Sequence, residues 1–287
     1  MARHFEGGSQ KTVAKLVILE EYLNIYTSIM TSQWGGELWY VDTHAGTGKT
    51  LIDNADRLVP GSPIRAIENH EKDFDAFYFY EVDSENFTML HETLETEFDL
   101  NFEVREAKPD DADFQVAKSE SPKVVIMQMD SNEGASFLAE KSNQNRHWFT
   151  FVDPKGLTAK KSTIDTLTNR GNMDILINYQ TTGVMRSAAA EHAHAAVTRT
   201  LGDDDWPEAG TPEEFVEEYK QRIETRSKYS AVTKAMESPQ DRSWRFDLVF
   251  ASINNTAREL MKGRMKQERL WEKAAEETGQ SGLNKWM

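Results

Sequence analysis

Four runs of apolar and aromatic residues in this chain stop on an acid. Leu38-Trp39-Tyr40-Val41 runs into Asp42, Ala76-Phe77-Tyr78-Phe79-Tyr80 into Glu81, Val124 to Met129 into Asp130, and His147 to Val152 into Asp153. Runs this short, rich in β-branched and aromatic residues, predict buried strands. A fifth, Asp174 to Tyr179 around Ile175-Leu176-Ile177, ends near Asn178. Helical patterns alternate with them. Residues 9–32 begin on Ser9, a good N-cap, and carry Val13, Leu16, Val17, Leu19, Tyr22, Leu23 and Ile25 at helical spacing; residues 84–97 place Phe87, Leu90, Leu94 and Phe98 on one face. Strands alternating with helices predict an open, mostly parallel α/β sheet of the Rossmann-like kind. Ligands of such sheets sit outside the carboxyl ends of the strands, so the acids at those ends are the residues to weigh.

The remaining punctuation completes one domain. A short helix is expected from Ile64 to His70, and a short strand from Asn101 to Glu106. The polar, acidic segment from Pro109 to Glu120 reads as surface. Residues 185–227 read as a helical insertion broken at Gly202 to Pro207, where Asp203-Asp204-Asp205 reads as a solvated turn. Thr211-Pro212-Glu213-Glu214 is a helix start, with a cap, a first-turn proline and carboxylates at the positive helix end. Tyr229 to Ala235 and Arg245 to Ile253 pair as an antiparallel hairpin around the turn Ser238-Pro239-Gln240-Asp241; a last helix spans 255–276, and residues 279–287 read as frayed. The expected sheet core, 37–180, has five parallel strands, with the hairpin at its end.

Composition narrows the chemistry. The 287 residues include no cysteine, which excludes disulfides, Cys-ligated zinc, iron–sulfur clusters and a cysteine nucleophile. With 33 Lys+Arg against 48 Asp+Glu, the formal charge is −15. That charge opposes an extended electrostatic grip on nucleic acid, which depends on cations neutralising phosphates. It also suits a salt-loving source, although Lys (18) is not depleted relative to Arg (15). No apolar run is long enough to span a membrane, and the first residues lack the apolar core of a signal peptide; a cytoplasmic protein is expected.

The loop after the first strand, Thr43-His44-Ala45-Gly46-Thr47-Gly48-Lys49-Thr50, supports two readings. Gly48-Lys49-Thr50 matches the second half of a phosphate-binding P-loop, but the first glycine of that motif would fall at Thr43. The alternative is the glycine turn of an S-adenosyl-L-methionine site. There Asp42, His44, Ala45, Gly46 and Gly48 would let the backbone approach the amino-acid part of the cofactor, because a side chain at the glycines would block it. Glu81 would then accept from the ribose hydroxyls, as acids do in dinucleotide folds, Asp130 would accept from the adenine amino group, and Asp153-Pro154 would meet the acceptor beside the methyl group.

These segments resemble the three-Cys-motif partner proteins (TcmP). Leu38 to Gly48 looks like the family's "Y-I-D-x-F-A-G-x-G", Phe151-Val152-Asp153-Pro154-Lys155-Gly156 like its "F-L-D-P-F-G", Lys11 to Leu23 like its opening "K-x-x-I-L-x-x-Y-L", Gly61-Ser62-Pro63 like its "G-S-P" and Ile177-Asn178-Tyr179 like its "L-N-F". The resemblance covers most of residues 10–255. It implies a class I methyltransferase fold, S-adenosyl-L-methionine as cofactor, and a companion protein that carries a three-cysteine, radical-SAM-like signature.

One departure bears on the acceptor. Amino-directed nucleic-acid methyltransferases use D/N-P-P-Y/F, in which the Asp or Asn and a proline carbonyl hold the target amine and the aromatic ring stacks on an extruded base. Here Asp153, Pro154 and Lys155 are the candidate catalytic residues, the second proline is lost and no aromatic follows. Lys155 is a candidate phosphate contact, and Trp148, Phe149 and Tyr179 are candidate stackers that burial tendency assigns to the core. Asp42 and Asp153 also fit as helix caps, and Glu81 and Asp130 as solvated loop acids. His192 and His194, two apart on a helix, face different sides and form no metal pair. The expected activity is methyl transfer, with a nucleobase amine as acceptor. The alternatives are a non-catalytic partner of a radical-SAM-type protein and a P-loop-like NTPase.

Overall fold

Trp39 and Val41 pack into one apolar layer of the molecule, Leu38 and Tyr40 into the other. This is the period-two alternation of a strand buried on both faces. The computed structural model describes residues 5–52, 56–105, 123–142, 144–206, 210–237, 245–266 and 269–279. In chain order its elements are β1 (Glu6–Gly8), α1 (Gln10–Gln33), β2 (Glu37–Asp42), β3 (Lys49–Ile52), β4 (Arg57–Pro60), α2 (Ser62–His70), β5 (Ala76–Glu81), α3 (Ser84–Glu97), β6 (Asn101–Arg105), β7 (Lys123–Gln128), α4 (Ser131–Lys141), β8 (Arg146–Val152), α5 (Lys161–Arg170), β9 (Met173–Tyr179), α6 (Thr181–Ala188), α7 (His194–Leu201), α8 (Pro212–Arg226), β10 (Ser230–Glu237), β11 (Arg245–Ser252), α9 (Asn255–Met265) and α10 (Arg269–Glu277).

The main sheet has the order β10-β11-β9-β8-β2-β5-β7-β6. Strands β6, β7, β5, β2, β8 and β9 are parallel, β11 is antiparallel to β9, and β10 is antiparallel to β11. Among the described residues six strands are parallel rather than the expected five, because Asn101–Arg105 joins as the outer edge. Helices α1, α2, α3, α9 and α10 cover one face, against Tyr40, Phe77, Phe79, Phe149 and Phe151. Helices α4 to α8 cover the other, against Trp39, Tyr78 and Trp148. The architecture is therefore the expected doubly wound, Rossmann-like α/β fold. From β2 the chain first builds outward through β5 and β7, then crosses back to β8 on β2's other side. The crevice between the carboxyl ends of β2 and β8 is the topological switch point.

Three expectations change. A second sheet, β1-β3-β4, is present that the sequence reading does not contain: β3 and β4 follow the glycine loop, and β1 joins them from before α1; its strands are three or four residues long, too short to show a period. The helical insertion begins earlier, at Thr181, directly after β9. The last helix is two, α9 ending at Met265 and α10 starting at Arg269. The segment from Pro109 to Glu120, the turn at 238–241 and residues 280–287 lie outside the described residues. Among the described residues, no helix is long and apolar enough to cross a membrane.

Packing between α4 and β5 gives a direct test. A Cβ at Gly134 would lie 2.3 Å from the ring of Tyr80, which is fully buried. Gly263, inside α9, has nothing within 4 Å. Gly134→Ala should destabilise the fold by about 1–3 kcal/mol through overpacking, whereas Gly263→Ala should stabilise it by about 0.5–1 kcal/mol through helix propensity. Urea denaturation reads both; equal effects would contradict the packing.

Candidate functional site

Asp42 ends β2 with no exposed surface. Its Oδ1 accepts the His44 N–H at 3.1 Å, Oδ2 takes the Tyr40 hydroxyl at 3.4 Å, and Ser62 also hydrogen-bonds the carboxyl. Burial pushes the carboxyl up to about 7, against those hydrogen bonds, and the nearby Asp153 charge adds to the rise. Asp42 therefore works beneath the loop, bending the chain at His44.

The loop then climbs over the strand ends. Thr43 N–H donates to the Phe151 carbonyl at 3.0 Å, Ala45 N–H to the Tyr80 carbonyl at 2.9 Å, and Gly46 N–H to Glu81 Oε2 at 2.9 Å. Gly46 and Gly48 have φ of 62° and 80°, the left-handed region that favours glycine. Thr43 Oγ1 spends its proton on the Phe151 carbonyl at 3.2 Å, so it accepts from His44 Nδ1 at 2.8 Å. That assigns the proton to Nδ1 and leaves His44 Nε2 as an acceptor, 3.3 Å from Ser131 Oγ. Burial pulls His44 down to about 4, so the ring is neutral near pH 7.

A cleft of about 710 Å³ opens above these strand ends. Asp130, Glu81 and Asp153 line it beside the loop residues His44, Ala45, Gly46 and Gly48. They belong to adjacent strands β7, β5, β2 and β8, so the acids follow the order of the sheet. Asp42 lies under this floor rather than in its lining. Glu81 is held in place by two backbone groups, Gly46 N–H on Oε2 and Asp83 N–H on Oε1, both at 2.9 Å. Asp130 is exposed and also serves as the α4 N-cap, accepting Asn132 N–H at 2.8 Å. For Asp130 the capping role and the cleft position coexist.

Asp153 is engaged by residues that motif reading did not single out. Lys15 of α1 lies 2.6 Å from Oδ1 and 2.5 Å from Oδ2, and Asn178 Nδ2 donates to Oδ1 at 2.5 Å. Pro154 is buried, and its carbonyl accepts from Gln180 Nε2 at 3.3 Å. Lys155 is exposed on the cleft wall. A signal for Lys15 existed in the sequence, since it is the one charged residue within the run Val13-Ala14-Lys15-Leu16-Val17-Ile18-Leu19.

Other expectations separate. Trp148, Phe149 and Tyr179 are core residues, Tyr179 stacking on Tyr219 with ring centroids 4.5 Å apart. Among the described residues, no cluster of His, Asp and Glu could hold a metal ion; His194 Nε2 lies 2.9 Å from the Ala188 carbonyl and its ring meets Trp206 edge-on. Asp203 is no free turn residue, because Arg222 and Arg226 hold it. Gly48-Lys49-Thr50 leads into strand β3, and Lys49 pairs with Glu97 at 2.7 Å. A P-loop needs a helix N-terminus at that point to receive phosphate, so the structure removes that reading.

No protein-family model matches the sequence, and no curated protein matches it. Solved structures do match by shape. One is LPL1258 from Legionella pneumophila, described by the family model DUF519, with 12% identity, 98% of this chain and 96% of that chain covered, and a TM-score of 0.52. Another is Trm1 from Pyrococcus horikoshii, solved with S-adenosyl-L-methionine, with 15% identity, 91% of this chain and 60% of that chain covered, and a TM-score of 0.48. At these identities the likeness to LPL1258 concerns the fold alone.

The buried Asp42 carboxyl gives a pH test. Its folded pKa of about 7 lies above the unfolded value, so the folded state holds the extra proton between about pH 4 and pH 7. Stability contributed by this group is full below pH 4 and falls as pH rises to 7, by up to about 1.4 kcal/mol per pH unit. Asp42→Asn keeps the acceptor for His44 N–H and removes the titration. The variant should gain stability relative to the native protein between pH 5 and pH 8 in urea melts. A constant difference across that range would refute the assignment.

Proposed function

We propose that this chain is an S-adenosyl-L-methionine-dependent methyltransferase. One observation carries the reading: the cleft at the switch point combines a left-handed glycine loop with acids presented in strand order. Its volume suits a cofactor-sized molecule. Glu81, fixed by two backbone N–H groups, would hold the ribose hydroxyls. Asp130, at the exposed end of β7, would take the adenine amino group. The loop from His44 to Gly48, raised on Asp42, would lie against the amino-acid part.

When bound, the cofactor supplies an electrophilic methyl group on a sulfonium. The protein's contribution is alignment, which can remove several kcal/mol of barrier, up to about 7–11 in well-oriented systems. Asp153, Pro154 and Lys155 form the acceptor side. Asp-Pro segments elsewhere hold a nucleobase amine, which by analogy would set Lys155 against phosphate in a nucleic-acid substrate; the engagement of Asp153 by Lys15 and of the Pro154 carbonyl by Gln180 weighs against an amine as acceptor. The second reading is an accessory partner of a three-Cys-motif, radical-SAM-type protein, and the engagement of Asp153 by Lys15 favours it.

Calorimetry separates these. The native protein should bind S-adenosyl-L-methionine and S-adenosyl-L-homocysteine, and Glu81→Ala should weaken both by about tenfold or more, roughly 1.4 kcal/mol. ATP should give no heat. Absence of cofactor binding at both low and high salt would overturn the enzyme reading and leave the accessory one.

A further inference from the structure

The two acceptor groups that an Asp-Pro segment offers to an incoming amine, the carboxylate and the proline carbonyl, are already engaged within this chain. Asp153 Oδ1 takes both Lys15 and Asn178, Oδ2 takes Lys15, and the Pro154 carbonyl takes Gln180. These donors come from α1, from β9 and from the residue that follows β9. A charge-assisted hydrogen bond is about twice as strong as a neutral one. The Lys15 and Asp153 side chains are only 12% and 16% exposed, where salt screens such a pair little. An amine N–H would have to share Oδ2 or the Pro154 carbonyl with a donor already in place, and would bring its own hydrogens against the Lys15 ammonium. Asn178 cannot turn to help, because exchanging its Nδ2 for Oδ1 would set two acceptors 2.5 Å apart.

What this side of the cleft offers instead is a donor. An ammonium group carries three N–H bonds; the two Asp153 oxygens take at most two, and Lys15 lines the cleft beside Thr43, Gly46 and Pro154. We propose that the acceptor subsite is an oxyanion site centred on Lys15, with Asp153 and Asn178 as positioning residues that hold the ammonium in the cleft. The substrate class is then a carboxylate, or a hydroxyl acidic enough to be ionised before it binds.

The chemistry balances without a base. The anionic oxygen forms the new O–CH3 bond as the sulfonium C–S bond breaks. The bonding pair stays on sulfur, which leaves as a neutral thioether, and the two charges cancel with no proton transferred. This suits a site whose carboxylate is already paired and whose histidine is neutral. The inference rests on the proposed cofactor reading, which supplies the methyl donor.

Fluorine NMR on the full chain, with and without saturating S-adenosyl-L-homocysteine, tests it with para-fluorobenzoate and para-fluorobenzylamine as probes. The benzoate should bind and the benzylamine should not. Lys15→Met should weaken benzoate binding by about tenfold or more, while Lys15→Arg, which keeps the charge and the fold of α1, should retain it. Binding of the benzylamine, binding of neither probe, or unchanged benzoate binding in Lys15→Met would each overturn the oxyanion site. If S-adenosyl-L-homocysteine itself fails to bind, the methyltransferase reading fails separately, and the titrations without it still decide the anion site.

Discussion

A carboxyl group with no exposed surface must find its hydrogen bonds inside the protein, and Asp42 finds them in the loop it supports. The His44 N–H, the Tyr40 hydroxyl and Ser62 converge on it. Its position at the end of the central strand forces the following backbone to turn upward. The consequences then run outward in sequence: Ala45 reaches the Tyr80 carbonyl, Gly46 captures Glu81, and Gly48 receives the Gly61 N–H on its carbonyl at 2.7 Å. Two of these contacts tie the loop to β5 and the third to the residue before α2, so the cleft floor is determined by its neighbours rather than by the loop's own propensity. A buried, unsatisfied carboxylate would cost several kcal/mol, which makes an alternative loop path expensive.

Much of the architecture was legible in the sequence, and the reason is visible in particular residues. The runs ending at Asp42, Glu81, Asp130 and Asp153 became β2, β5, β7 and β8. Buried parallel strands read as near-continuous apolar segments, and a polar residue marks where they leave the core. Ser9, Asp83 and Thr211 stand at the starts of α1, α3 and α8 because short polar side chains satisfy helix N-termini. The β1-β3-β4 sheet was not legible, since Lys49-Thr50-Leu51-Ile52 has neither the length nor the alternation that identifies a strand. The acids of the site were legible for the same local reason as the strands. Their partners were not: Lys15 and Asp153 are 138 residues apart, and no local pattern encodes a pair at that distance.

The net charge of −15 divides into distinct populations. A few acids serve the cleft. Others are structural: Arg65, 4% exposed, is held by Glu20 and Glu277, and Glu20 also takes Lys273 at 2.9 Å. This network joins α1, α2 and α10 across the back of the sheet. A buried guanidinium needs such partners, because leaving one charge unpaired costs about 3–5 kcal/mol. The acidity of the chain therefore includes internal fasteners as well as a solvating exterior.

The strand order has a further consequence for the history of the molecule. β2 pairs with β5, some forty residues on, but its other neighbour, β8, arrives only about seventy residues after that. Contacts of such long separation are slow to form, because the intervening chain must be ordered before they repay it. During synthesis α1 and β2 emerge first, and the wall of the cleft that carries Asp153 emerges last. Until then the apolar surface of β2 that β8 will cover has no neighbour, and Lys15 has no counter-charge. The crevice that gives this protein its chemistry is thus also the seam along which it finishes folding.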